Sequence, residues 1–327
     1  MSIVLVIGNG FDLALGYDSG YTHFVNTASS IRHYFWPFKS PDESKFKTDS
    51  LHQYFYDYFI SHLDDSDHIK WLDLEGELYK YASSKRGLQV PEELVSYDKM
   101  SFYILVNSLY RYLNRHQELK YKYHPPKGED KCVIELLQAL SRAKDFKNAY
   151  TFNYTDLKER FIKYGGFDED SLPTITHIHG SLKKSTENTP NIVLGINTDF
   201  SLPQEYSFLQ KINNPNADAG DLVIDLVTNN EIIFYGLSMG KIDFEYFQSF
   251  FQYVVNAPIQ TPKKHISILT KGENMISAIS KNINDMGINL RVLKERSYFN
   301  IIDTHEAEFN YNGHYNVFHS LLERITK

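Results

Sequence analysis

The chain contains 327 residues, of which 42% are apolar and 23% are charged, and its formal net charge is −7. This composition excludes disordered, collagen-like and coiled-coil chains, and the acidic balance argues against a protein that binds nucleic acid by general phosphate neutralisation. The single cysteine, Cys132, excludes an intramolecular disulfide and a multi-cysteine zinc module and is typical of a reducing compartment. We therefore expect a folded cytoplasmic protein.

The apolar segment at residues 3–7 is too short for a signal peptide and follows no cluster of positive charge. Nowhere does the sequence contain about 18 consecutive apolar residues, the length that a membrane-spanning helix needs. We therefore expect no membrane partner and interpret residues 3–7 as a buried first strand.

Segments of strand length alternate with helix-like segments at both ends of the chain, which is typical of an α/β fold. Several strand candidates are continuous runs of Ile, Val, Leu and Phe, as expected of parallel strands covered on both faces. The predicted strands are residues 3–7, 148–152, 174–179, 191–195, 231–235, 265–270 and 289–293. Helices are predicted after several of them, at residues 156–164, 242–255 and 273–286.

A mostly helical region separates the first two predicted strands, with helices expected at residues 51–63, 73–83, 101–119 and 133–143. The pattern predicts a doubly wound, mostly parallel, Rossmann-like α/β sheet with a large helical insertion after its first strand. The predicted domains are an α/β nucleotide-binding domain, formed by residues 1–20 and 145–327, and a helical insertion or lid subdomain at residues 21–144.

A glycine-containing turn, Gly8-Asn9-Gly10-Phe11-Asp12, directly follows the first predicted strand. Glycines let backbone amides and a helix N-terminus approach a phosphate, and open α/β sheets bind ligands at the carboxyl ends of their strands. The spacing differs from the G-x-G-x-x-G dinucleotide fingerprint, so a purely structural turn is equally compatible with it. Asp12 is a candidate either for capping the next helix or for contacting a ribose.

The second predicted strand delivers Thr151 and Asn153 to the same edge of the sheet. An amide there could hold a hydroxyl group or a water molecule. The alternative is an ordinary helix start, in which Thr155 or Asp156 is the cap and Asn153 is a turn residue.

The third predicted strand ends at His177-Ile178-His179-Gly180. Residues two apart on a strand share a face, so the two imidazoles could form a metal pair, or a general base with a supporting partner. A histidine with a structural role is the alternative at each position. The glycine turn, Asn153 and this histidine pair follow three different strands, and their coincidence at three strand ends favours a functional site.

The strand at 231–235 is followed by Gly236-Leu237-Ser238-Met239-Gly240 and Asp243, a second turn that could face a phosphate or a ribose. The same letters match the G-x-S-x-G nucleophile elbow of serine hydrolases. Such a hydrolase needs an Asp and a His later in the chain, and Asp303 with His305 or His314 lies in no convincing loop framework for it. We therefore favour the nucleotide-facing interpretation.

Together these motifs resemble the bacteriophage abortive infection AbiH family, and they recur in family order across nearly the whole chain. The matching segments are I-G-N-G-F-D-L at the start with Gly16, Tyr21 and Phe24, then Trp71 to Glu75, Thr151 to Thr155, His177 to Gly180, and Tyr235 to Ser238 with Asp243. The resemblance implies a role in antiphage defence.

A more distant resemblance is to sirtuin-like NAD-binding domains. The corresponding residues are Gly8, Gly10 and Gly16, then Thr151 and Asn153, then His179 and Gly180, then Gly236 and Ser238. In such domains the Asn holds the nicotinamide ribose and a water molecule, and the His is the general base, so the resemblance implies that Asn153 and His179 are catalytic. Two positions depart from the pattern, because Phe11 and Asp12 replace the usual Ser and Asp156 lies one place late.

The resemblance implies NAD as substrate or ligand, and hydrolysis of its nicotinamide glycosidic bond rather than deacylation, because one cysteine cannot form the four-cysteine zinc module of deacylating sirtuins. The residues expected to contact NAD or a related nucleotide are Gly8, Asn9, Gly10, Phe11, Asp12, Thr151, His177, Gly236, Ser238 and Asp243. We expect no metal ion.

Two other functions remain open. One is a metal-dependent phosphoesterase or nuclease, whose ligands would come from His177, His179, Asp12, Asn153, and Asp303 or His305. The other is a non-catalytic nucleotide sensor that signals through its helical insertion to a partner or within a homo-oligomer. Metal content would identify the first, and tight nucleotide binding without turnover would identify the second.

Overall fold

The structure is a computed structural model, and it describes residues 2–20, 24, 55, 58–59, 74–88, 90–115, 130–185, 190–196, 202–308 and 313–327. The chain divides into two compact units. Unit 1 consists of Met1–Tyr17, Pro125–His179 and Asp218–Lys327, and unit 2 consists of Asp18–His124 and Gly180–Ala217. Residues 125–144 therefore belong to unit 1, and residues 180–217 belong to unit 2. The domain boundaries expected from the sequence stay a prediction.

Unit 1 contains a six-stranded sheet in the order β3-β2-β1-β4-β5-β6. Every neighbouring pair of strands is parallel. The strands are β1 (Ile3–Ile7), β2 (Phe146–Thr151), β3 (Thr174–His177), β4 (Glu231–Tyr235), β5 (His265–Thr270) and β6 (Tyr298–Asp303). This order confirms the predicted doubly wound α/β fold, and it places the reversal of strand order between β1 and β4.

The central strands are fully covered, and they are apolar at every position except Glu231, the first residue of β4. All five residues of β1 and all five of β4 are buried, which matches the continuous apolar runs that predicted them. The sheet and the helices at residues 222–228, 244–256, 273–285 and 290–296 contribute to one hydrophobic core. The helix Lys131–Arg142 packs with residues 161–165 and with the helix His314–Thr326.

The described α-helices are Asn9–Ala14, Leu74–Ser84, Glu92–Arg115, Lys131–Arg142, Leu157–Arg160, Leu222–Thr228, Phe244–Asn256, Glu273–Asp285, Leu290–Arg296, Thr304–Glu308 and His314–Thr326. A π-helical turn, Phe161–Gly165, continues the helix that begins at Leu157. No helix in these described ranges is both long enough and apolar enough to cross a membrane.

Two strand predictions are wrong. Residues 289–293 begin a helix, because the Asn289 side chain caps it by accepting from the backbone amides of Arg291 and Val292, and the sixth strand is Tyr298–Asp303. Residues 191–195 form no strand, although Ile192 makes an isolated bridge to Gly180. The third strand ends at His177 and not at residue 179. The helix predicted at 51–63 lies largely outside the described residues.

Unit 2 contains the helices Leu74–Ser84 and Glu92–Arg115 and has a polar centre. The buried Asp98 carboxylate accepts from the hydroxyls of Tyr81 (2.7 Å) and Tyr206 (2.8 Å). The Lys211 ammonium lies 2.8 Å from Glu75. Burial lowers the pKa of Lys85 to about 8, and the Asp98 charge opposes that shift.

Candidate functional site

The turns that follow β1 and β4 meet backbone to backbone where the strand order reverses. The Gly8 amide donates to the Tyr235 carbonyl (2.9 Å), and the Gly10 amide donates to the Gly236 carbonyl (3.0 Å). A Cβ on Gly10 would lie 2.6 Å from the Cα of Gly236, closer than carbon atoms can approach without displacement. These glycines therefore allow two turns to touch.

The amides of this first turn are largely used within the protein. Besides those of Gly8 and Gly10, the Phe11 amide donates to the Gly8 carbonyl (3.0 Å). The Phe11 ring is buried and packs edge-on against the Tyr235 ring, with 5.6 Å between centroids. Asn9 is the exposed member of the turn.

Asp12 is fully buried and lies at the centre of a polar network. Its Oδ1 accepts from Nε of Arg160 (2.8 Å), and its Oδ2 accepts from the Thr155 hydroxyl (2.7 Å) and from Nδ2 of Asn153 (3.2 Å). The side chain makes no capping hydrogen bond to the short helix that contains it. Of the two roles considered from the sequence, the cap is therefore not the one seen, and ribose contact stays a prediction.

Asn153 is oriented by groups that can only accept. Its Nδ2 donates to the Gly8 carbonyl (3.0 Å) as well as to the Asp12 carboxylate. Its backbone amide donates to Oγ1 of Thr151 (3.0 Å). Because both partners of Nδ2 are obligate acceptors, chemistry assigns the nitrogen and oxygen of this amide. Oδ1 has no hydrogen-bond partner among the described residues.

Arg160 was missed by sequence reasoning, although a signal was present. It follows Leu157 and precedes Phe161 and Tyr164, so it lies on the apolar face of its helix. A charged residue on such a face requires a buried partner, and that partner is Asp12. The capping role expected near here belongs to Asp156, which accepts from the Lys158 amide.

The guanidinium of Arg160 also contacts an aromatic ring. Its Cζ lies 3.9 Å from the centroid of the Tyr17 ring, and NH1 donates to the Asp156 carbonyl (3.0 Å). Burial by itself lowers the pKa of Arg160, but the charge and hydrogen bond of Asp12, together with Tyr17 and Glu159, outweigh burial and raise the pKa. Burial raises the pKa of Tyr17, and Arg160 opposes that shift. Both groups therefore keep their ordinary protonation state at neutral pH.

The two histidines have different surroundings. Nδ1 of His177 lies 3.1 Å from the Asn153 carbonyl, and because a carbonyl can only accept, this bond places the proton of neutral His177 on Nδ1. His179 lies in the turn after β3, with Nε2 3.4 Å from the Tyr246 hydroxyl and its ring edge-on to Phe152. His177 is thus linked to Asn153, whereas His179 is linked to Tyr246.

The turn after β4 is tightly bent. Gly236 has a left-handed backbone with φ +67°, and the buried Met239 also has a positive φ of +52°. Ser238 is exposed, and its carbonyl accepts from Asn282 (2.9 Å). Asp243 precedes the helix Phe244–Asn256 without a side-chain capping bond.

The arrangement does not form a serine-hydrolase triad in the described part of the chain. The Asp303 carboxylate accepts from the amides of Gly272 and His305, and Nδ1 of His314 accepts from the Asp303 amide. No hydrogen bond joins Ser238 to a histidine among the described residues. Within those residues, no three His, Cys, Asp or Glu side chains come together as metal ligands either.

Seven residues of the site form one hydrogen-bonded group, and His179 belongs to a second group. Hydrogen bonds connect Gly8, Asp12, Thr151, Asn153, Thr155, Arg160 and His177. His179 is joined by hydrogen bond or ring contact to Phe152 and Tyr246 instead.

The family model for bacteriophage abortive infection AbiH matches residues 4–262, a range that contains both groups. The chain belongs to the AbiH family. It is therefore an abortive-infection protein of antiphage defence. No curated protein matches the chain.

Proposed function

We propose that this AbiH protein binds NAD at the carboxyl edge of the unit 1 sheet and hydrolyses its nicotinamide glycosidic bond during abortive infection. The observation that carries the proposal is Asn153, a buried amide held beside the point where strand order reverses. Open α/β sheets bind nucleotides at that point. An amide oxygen there is an acceptor suited to a ribose hydroxyl or a water molecule.

Asn153 and His179 would have separate roles in the reaction. Asn153 would hold the nicotinamide ribose and the attacking water, and His179 would take the proton of that water. The water oxygen forms a bond to the ribose carbon, while the electron pair of the broken bond neutralises the nicotinamide nitrogen. The products are nicotinamide, ADP-ribose and one proton, so no external acid or metal is required. A positioned base typically contributes about 10²–10⁴ in rate.

The pyrophosphate would be bound by side chains and not by the backbone amides of the glycine turn. The amides of Gly8, Gly10 and Phe11 are engaged within the protein, so we assign the phosphate contacts to exposed side chains of the two turns. Asn9 follows β1, and Ser238 and Lys241 follow β4. Lys241 adds the positive charge that a pyrophosphate favours.

The test is nicotinamide release from NAD by the purified full chain, followed chromatographically. Asn153→Ala and His179→Ala should each abolish release while the circular dichroism spectrum stays that of the wild type. His319→Ala, on the last helix, is the matched control and should leave release unchanged.

Three outcomes would contradict the proposal. NAD binding without release would instead support the nucleotide sensor. Release lost in Ser238→Ala but kept in His179→Ala would support a serine nucleophile. Loss of activity on chelation, restored by a divalent cation, would support the metal-dependent phosphoesterase or nuclease.

A further inference from the structure

The ion pair between Asp12 and Arg160 is sealed from solvent, with 0% and 2% of the two side chains exposed. Burying such a pair carries a desolvation cost, and apolar residues of similar volume are often at least as stabilising. Stability alone therefore gives little reason for this pair to be here.

The pair is also incompletely satisfied. NH2 of Arg160 is buried and has no hydrogen-bond partner within the described ranges, although Nε and NH1 are both bonded. A buried donor without a partner is unfavourable. The stability of the fold therefore does not explain this ion pair, and the groups that donate hydrogen bonds to the Asp12 carboxylate explain it better.

That carboxylate determines the orientation of Asn153. Oδ2 receives one hydrogen of Nδ2, and the Gly8 carbonyl receives the other. The Thr155 hydroxyl donates to the same Oδ2, and Arg160 keeps Oδ1 occupied. Because Nδ2 faces the Gly8 carbonyl and the Asp12 carboxylate, the Asn153 amide has a single favourable orientation, in which Oδ1 is turned away from the network.

We propose that Asp12 and Arg160 are positioning residues of the NAD site, which hold the Asn153 amide so that its oxygen faces the ligand. The inference rests on the proposed function for its kinetic consequence, but the orientation itself is measurable without NAD. Asp12→Asn removes one of the two obligate acceptors of Nδ2, because an amide at residue 12 can donate as well as accept, so that only the Gly8 carbonyl then opposes a flip of Asn153.

The variants distinguish an effect on the orientation of the Asn153 amide from an effect of lost charge and from a failure to fold. Asp12→Asn changes the acceptor with little change in volume, and Thr155→Val removes one donor without changing any charge, so it remains informative if Asp12→Asn fails to fold. Thr155→Ser keeps the hydroxyl and is the conservative rescue. Glu169→Gln is the matched control, because it removes a carboxylate that pairs with Lys158 at the surface.

The first measurement is the hydrogen exchange of the Asn153 side-chain amide, observed by NMR in full-length protein labelled with ¹⁵N at asparagine. Both hydrogens of the wild type should exchange slowly, as should those of Thr155→Ser and Glu169→Gln. Asp12→Asn and Thr155→Val should accelerate the exchange of at least the hydrogen that faces residue 12. Unchanged exchange in both folded variants overturns the proposal.

The second measurement is the kinetics of nicotinamide release. Misplacement of a positioned group can cost about 10²-fold in rate, so kcat should fall about 10- to 100-fold in Asp12→Asn while KM changes by less than about threefold. Thr155→Ser should keep the wild-type kcat. A folded Asp12→Asn with wild-type kcat overturns the proposal. A wild type that releases no nicotinamide overturns the proposed function only, and the exchange measurement then decides the positioning role.

Discussion

Gly236→Ala should destabilise unit 1 much more than Gly166→Ala, although the two glycines have similar left-handed backbones. Their φ angles are +67° and +72°. A Cβ on Gly236 would meet the Phe11 amide nitrogen and lie 2.6 Å from the Cα of Gly10, whereas a Cβ on Gly166 would meet nothing within 4 Å. The comparison therefore isolates the contact between the two turns from the cost of the backbone conformation.

The magnitude follows from two contributions. A left-handed conformation costs a residue with a Cβ about 1–2 kcal/mol, and this applies to both variants. Forcing atoms into a packed site adds about 1–3 kcal/mol, and this applies to Gly236→Ala alone. The free energy of unfolding should therefore fall by about 1–2 kcal/mol in Gly166→Ala and by about 2–5 kcal/mol in Gly236→Ala.

The assay must report on unit 1, and tryptophan fluorescence is unsuitable because the sequence range of unit 1 contains no tryptophan. Amide hydrogen exchange read by mass spectrometry, on peptides covering β1 and β4, gives the opening free energy of the relevant strands. Equal losses in the two variants would refute the backbone contact between the turns.

Three further predictions concern unit 1. Arg324→Met leaves the Glu231 carboxylate buried without its cation, and the free energy of unfolding should fall by about 3 kcal/mol at pH 7. Because burial already raises the pKa of Glu231, the variant should regain stability as the pH falls through that raised pKa. Urea unfolding at several pH values measures both effects. Cys132 should stay unmodified by a thiol reagent until urea is added, because it is buried and burial raises the pKa of its thiol. Asp156→Ala removes a helix cap and should lower the free energy of unfolding by about 1 kcal/mol. Asp130→Ala removes a cap and also leaves the buried Thr304 hydroxyl without its acceptor, so it should cost about 2–3 kcal/mol. Thermal unfolding measures both losses, and equal losses would contradict the hydrogen bond between Thr304 and Asp130.

The sheet was largely predictable because its central strands are buried on both faces. Residues 232–235 are a continuous apolar run, residues 265–270 contain Ile266, Ile268 and Leu269, and both strands were predicted with their observed bounds. The sixth strand was missed because the run at 289–293 is equally compatible with a buried helix. The cap at Asn289 was the local signal that distinguished the two.

The candidate site was predictable only in part. Strand ends place Asn153, His177 and the glycine turns at one edge of the sheet, and that follows from any parallel arrangement. The sequence could not reveal that Asp12 pairs with Arg160, because 148 positions separate them. Nor could it reveal that the glycine amides are consumed by contact between the turns, which depends on β1 and β4 being neighbours.

The central claim, that this AbiH protein defends its host by hydrolysing NAD, is tested most directly by the NAD content of infected cells. Cells that carry the wild type or Asn153→Ala at matched protein levels would be sampled after phage infection. The account predicts that NAD falls and ADP-ribose rises with the wild type alone, and that Asn153→Ala gives no protection. Protection by Asn153→Ala, or wild-type protection with NAD unchanged, would contradict it.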